Sequence, residues 1–74
     1  MAPKRDTAAL RRLAARVKAL REDRGLSQES VAFDAGIHVN HPSSLERGVA
    51  NPSFLVLLAI SRVLGVKLSE VVSS

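Results

Sequence analysis

Apolar residues recur along this chain at three- and four-residue intervals, and glycines break the pattern at helix-length distances. Leu10, Leu13, Ala14, Val17 and Leu20 form the first stripe, the spacing of one buried helix face. Asp6 is placed to cap its start. Arg24-Gly25 ends it, because glycine takes the left-handed conformation beyond a helix without a Cβ clash. Ser27 caps a second helix, about Gln28 to Ala35, with Val31, Ala32 and Ala35 inward. Gly36 then gives a sharp turn and Ile37 plugs the corner it makes. A third helix is predicted from about Val39 to Arg47, with Gly48 following. Asn51-Pro52-Ser53 starts a fourth, from about Phe54 to Leu64, since proline bars helix just before it and Ser53 can cap. Gly65 stops that helix, and Leu68 to Val72 form a short last one. No strand periodicity, repeat or low-complexity segment is visible. The expectation is an all-α fold of five helices around one core.

Residues 1–5 read as a loose basic tail, since Pro3 and the chain end discourage order, and residues 6–74 as a single domain. A chain of 74 residues buries limited apolar surface. Compact helical packing or a partner subunit must then supply stability. With no cysteine, neither a disulfide nor a thiolate metal site can act as a staple. Phe33 and Phe54 are the only aromatics, which disfavours the stacking platforms that single-stranded nucleic acid needs.

Charge changes the picture more. The formal net charge is +4, and Lys4, Arg5, Arg11, Arg12, Arg16, Lys18, Arg21 and Arg24 lie in the first third of the chain against Asp6, Glu22 and Asp23. A basic surface favours polyanion partners, although a solvated helix face has the same composition. The longest apolar run, Phe54 to Ile60, is far too short to cross a bilayer. The basic N-terminus lacks the apolar stretch of a secretory signal. A soluble cytoplasmic protein with no membrane partner is expected.

Two short helices joined by a tight glycine turn, with further helices on each side, have the layout of a helix-turn-helix DNA reader. Leu26-Ser27-Gln28-Glu29, Leu45-Glu46-Arg47-Gly48, Asn51-Pro52-Ser53 and Leu64-Gly65-Val66 stand together in register. On these motifs the chain closely resembles the lambda-repressor-like family of transcriptional regulators, also called the Cro/C1 or xenobiotic-response-element type, over about residues 17–72. The resemblance implies that the helix after the turn lies in the DNA major groove. Its first residues, His38, Val39, Asn40 and His41 and then Ser43 and Ser44, would meet base edges. Asn40 suits adenine, Val39 a thymine methyl, and the two histidines guanine or phosphate. Gln28, Arg47 and Asn51 would hold backbone phosphates, which set register and affinity more than sequence preference. Arg21 and Glu46 match positions that pair across helices in the family, which implies a structural ion pair.

The chain departs from the family in two places. Val39-Asn40-His41 is poorer in strong base readers than the Gln, Arg, Thr or Tyr usual there. Pro42 falls about four residues into the third helix, where an interior proline costs about 3 kcal/mol. Either that helix begins near His41 or its first turn is distorted.

His38 and His41 lack the cysteines or acidic cluster of a metal site, so no metal is expected. Ser43 and Ser44 lack an acid–histidine relay and an oxyanion hole. No catalysis and no cofactor are implied. On the fourth helix, Phe54, Leu57, Ile60 and Leu64 are expected to face the core. Leu55, Leu58 and Val63 then fall partly outside it and, with Val66, Val71 and Val72, suggest a homodimer surface. A dimer would meet two half-sites of a palindromic operator about one helical turn apart.

The reading is thus a sequence-specific regulator of double-stranded DNA with no enzymatic activity. It would act on the nucleoid by occupancy and dimerisation, blocking or touching RNA polymerase. A restriction–modification controller and the antitoxin of a toxin pair are narrower roles for the same scaffold. The rival is a protein-interaction module that keeps the fold with weak or no base reading.

Overall fold

The computed structural model describes residues 7–49 and 51–72. The expected basic tail, 1–5, and the Asp6 cap lie outside the described residues. The described residues form five helices: α1 Thr7–Asp23, α2 Gln28–Ala35, α3 Asn40–Glu46, α4 Phe54–Leu64 and α5 Leu68–Val72. Among the described residues there is no strand, and the fold is all-α.

Local chemistry at the chain reversals sets the helix ends. After α1, Gly25 sits at φ 66°. Gly25 N–H donates to Glu22 C=O at 3.0 Å and Leu26 N–H to Arg21 C=O at 3.1 Å, which satisfies carbonyls the helix leaves open. Ahead of α2 the Ser27 hydroxyl oxygen accepts from Ser30 N–H at 3.0 Å, and the Ser30 oxygen accepts from Ser27 N–H at 3.0 Å. This reciprocal box covers two orphan donors at once. Ser53 does half of the same for α4, accepting from Val56 N–H at 3.2 Å.

α1 packs across α3 and touches α5, while α2 lies on α4 and α5 closes against α4. The core is Val17, Val31, Leu45, Ile60, Leu64 and Val71, one or two side chains from each helix. Burying each contributes about 1.5–3 kcal/mol. Leu13, Leu20, Leu26, Ile37 and Leu57 lean on this cluster from its rim. Ser61 is also fully buried, and its hydroxyl donates to Leu58 C=O at 2.8 Å, so no polar atom is stranded.

Three expectations are corrected. Phe54 is 63% exposed. As the first residue of α4 it projects past the end of the bundle, and the inward face is carried by Leu57, Ile60, Ser61 and Leu64. Val71 is 1% exposed, so it belongs to the core and cannot form a dimer surface. Finally, α3 starts at Asn40, one residue after the expected Val39 and one before His41, so Pro42 does not fall in the helix interior. With Val39 as N-cap, Pro42 is the third helical residue. There its missing N–H is one of the four that a helix start leaves unpaired in any case. The turn closes around it, with His41 N–H donating to His38 C=O at 3.0 Å and Ser43 N–H to Val39 C=O at 3.1 Å. The Pro42 ring is fully buried and serves as packing.

Candidate nucleic-acid interface

The turn between α2 and α3 is built by Gly36, at φ 70° and ψ 32°. Ile37 N–H donates back to Ala32 C=O at 3.0 Å, and the Ile37 side chain packs on the core. The chain thereby reverses within a few residues and presents α3 with Pro42 and Leu45 inward.

The outward strip of α3 follows from the same phase. Asn40, Ser44 and Arg47 stand four and three residues apart, on one face. Asn40, His41 and Arg47 are exposed, and Ser43 and Ser44 half-buried. Arg47 Nη2 donates to Ser44 Oγ at 3.4 Å, a long contact that leaves its remaining donors in solvent. Val39, half-buried, precedes the helix. Asn51 is exposed and faces Asn40, His41 and Ser44 across a shallow cleft of about 330 Å³, whose far wall is Pro52, Ser53 and Val56 at the start of α4. The structure thus gathers Asn40, His41, Ser44 and Asn51 at one place, with Arg47 one turn along.

His38 has a different part. Its Nδ1 accepts from Asn40 N–H at 3.0 Å, so the imidazole closes a free donor at the start of α3 and only Nε2 is left for another partner. No sequence pattern singles this out, because histidine is not a preferred capping residue.

At the end of α3 lies the most highly connected polar group among the described residues. Arg21, on α1, donates from Nε to Glu46 Oε2 at 2.7 Å and from Nη2 to Glu46 Oε1 at 2.9 Å. Its Nη1 donates to Leu26 C=O at 2.7 Å. The Glu46 side chain is 3% exposed and that of Arg21 13%. The hydrogen bonds Arg21 donates to Glu46, and the charge of that carboxylate, raise the Arg21 pKa above the ordinary arginine value, outweighing burial, which lowers it. This bidentate pair ties the last residue of α3 to α1 and to the loop before α2. Gln28 joins it, donating from Nε2 to Glu46 Oε1 at 3.2 Å. The Gln28 amide therefore braces the end of α3, and one amide hydrogen is left for any outside acceptor.

Of the suggested dimer residues, Leu55 is 73% exposed and Leu58 half-buried. Val63 and Val66 are half-buried against the core. Phe54 and Val72, 55% exposed, add to the apolar surface. Phe33 is the residue that sequence reasoning passed over. It is 85% exposed, on the side of α2 opposite Val31 and Ala32, and that position was readable from the helical phase. Among the described residues no helix is long and apolar enough to cross a membrane.

Two helices set at a glycine turn, the second held by its inner face and open along its outer one, define a helix-turn-helix domain. The chain belongs to the HTH_3 helix-turn-helix family, whose profile matches residues 17–71. It is 41% identical over 54 residues to an uncharacterized HTH-type transcriptional regulator, y4dJ, of Sinorhizobium fredii, covering 73% of this chain and 70% of that protein. It is 35% identical over 57 residues to the immunity repressor protein of Bacillus phage phi105, covering 77% of this chain but 40% of the repressor's length. Its fold matches the restriction-modification controller protein C.AhdI of Aeromonas hydrophila with a TM-score of 0.83 and 33% identity, over 86% of this chain and 97% of that one. The family is one of DNA-binding transcriptional regulators.

Proposed function

We propose that this protein is a sequence-specific regulator that binds a two-fold symmetric operator in double-stranded DNA as a homodimer, with α3 in the major groove. The observation that carries this is the open strip Asn40, Ser44 and Arg47 on a helix whose opposite side is fully anchored. Asn40 at the helix start has a free side-chain amide, which can donate to adenine N7 and accept from N6. Val39 is the candidate for a thymine methyl contact. His41, and His38 through Nε2, are candidates for guanine or phosphate. Ser43 and Ser44 can contact either base edges or the backbone. Arg47 holds a phosphate at the far end of α3, Asn51 does so across the cleft from Asn40 and His41, and Gln28 does so through its remaining amide hydrogen beside the free N–H groups that open α2.

The anchoring is part of the mechanism. Base readout needs side chains held to fractions of an ångström, and the Arg21–Glu46–Gln28 group fixes α3 relative to both α1 and α2 before DNA arrives. Little ordering cost then falls on binding.

Phe54, Leu55, Leu58 and Val72 supply the apolar surface for the dimer, with the exposed parts of Val63 and Val66 at its edge. Such surface is uncommon on soluble monomers. The regulator would work on the nucleoid in the cytoplasm and needs no cofactor or catalytic step. The likeness to C.AhdI over nearly all of that protein's length supports a restriction–modification controller as the narrower role. Sedimentation at micromolar concentration, with and without Leu55→Glu, tests the dimer: a wild-type monomer would remove it. Anisotropy titration of a labelled duplex at low and high salt tests the DNA reading: no binding at low salt would replace it with the interaction module.

A further inference from the structure

The basic residues of α1 are not equivalent, and Gly48 distinguishes one of them. At φ +71° Gly48 begins the loop out of α3, and a Cβ built there would lie 3.8 Å from Arg11 Cγ, 3.9 Å from Ala14 Cβ and 3.9 Å from Arg11 Cα. The stem of Arg11 therefore lies next to Gly48, just beyond the C-terminal end of α3. The residue is exposed, as expected for a long side chain that lays its methylenes on a surface and leaves its charge in water. Among the described residues no carboxylate forms an ion pair with it. Arg47 precedes Gly48 directly, so two unpaired guanidinium groups flank one glycine. Arg11 thus stands on α1 beside the end of α3 at which Arg47 lies.

We infer that Arg11 is a further phosphate-contacting residue, which extends the DNA footprint from α3 onto the N-terminal half of α1 beside Arg47. The inference rests on the DNA reading proposed above. Two arginines that flank one glycine at the end of a groove-lying helix suit the closely spaced charges of a duplex backbone. The positive φ is what favours glycine there, since a Cβ would make only ordinary contacts with Arg11 and Ala14. Arg12 is the built-in comparison. It has the same charge, is the next residue of the same helix and is also exposed. Its position a hundred degrees further round α1 takes it away from Gly48.

The test is the slope of log K against log salt for duplex binding by the wild type, Arg11→Gln, Arg11→Lys and Arg12→Gln. One lost phosphate contact lowers the slope by about 0.9, so Arg11→Gln should lose roughly 3.5-fold less affinity than wild type between 50 and 200 mM salt. Its loss at fixed salt should be the same factor on preferred and scrambled duplexes. Arg11→Lys should restore the slope, and Arg12→Gln should leave it unchanged. An Arg11→Gln slope equal to wild type would overturn the assignment, as would an equal flattening by Arg12→Gln, which would reduce the effect to net charge. A purely structural Arg11 would lower the melting temperature without moving the slope, and that too would overturn it. Failure of the DNA reading itself is distinguishable, since it appears in the wild type as salt-insensitive or absent binding.

Discussion

Glu46→Ala is the substitution whose cost the structure defines best. It removes both acceptors of the Arg21 fork and the acceptor of the Gln28 amide. The Arg21 guanidinium keeps only its bond to Leu26 C=O, in a position where its side chain is 13% exposed. Stranding one member of a buried pair costs about 3–5 kcal/mol. The residual exposure and the Leu26 bond place this case at the lower end, about 3 kcal/mol. For a domain of this size each kcal/mol moves the melting temperature by about 4–8 °C, so a fall of roughly 12–24 °C is expected. Circular dichroism is the suitable probe, because the chain has no tryptophan or tyrosine. The pair Arg21→Met with Glu46→Leu should recover most of the loss, since a packed apolar replacement leaves no charge stranded. The pH dependence follows from sign. A cation with a raised pKa stabilises the fold below its unfolded value and loses that contribution only as pH rises through the folded one. For Arg21 both lie above the physiological range, so the deficit of Glu46→Ala should be constant from neutral to mildly alkaline pH. A fall of less than about 4 °C, or a double variant no better than Glu46→Ala, would refute the reasoning.

Four further outcomes are expected. Arg47→Ala should weaken binding to all duplexes and flatten the salt slope by about one unit; an unchanged slope would remove it from the phosphate contacts. Asn40→Ala should lose about 1–3 kcal/mol of discrimination at one base position, and a uniform loss across sequences would show that it reads nothing. Pro42→Ala should destabilise the fold by roughly 2 kcal/mol, through lost ring burial and a freer unfolded chain, with DNA affinity retained. A gain in stability would mean that the proline strains α3 after all. Phe33→Ser should change the melting free energy by less than about 0.5 kcal/mol, and a larger loss would contradict its exposure.

The helix boundaries were legible because the signals are local: a serine oxygen three residues before an open N–H, or a glycine where φ turns positive. These depend on a handful of neighbouring atoms and survive any tertiary context. Phe54 was misplaced because periodicity gives a stripe without saying where along the helix the bundle ends. Pro42 looked costly because its price depends on its distance from the helix start, and a shift of one residue moved it into the first turn. Val71 was offered to a dimer and belongs to the core. A five-residue helix has too little periodicity to fix which side faces in. His38 and Gln28 took roles set by partners across a turn or on another helix. The Gln28 contact spans 18 residues and the Arg21–Glu46 contact 25, distances over which spacing alone carries no signal.

The measurement that tests the central claim most directly is selection from a randomised duplex library, with sequencing of the bound fraction at two salt concentrations. The account predicts one enriched motif with two-fold symmetry, half-sites about one helical turn apart, and overall binding that weakens at the higher salt while the motif persists. Salt-sensitive retention without any enriched sequence would contradict base reading by α3. No retention at low salt would contradict DNA binding altogether.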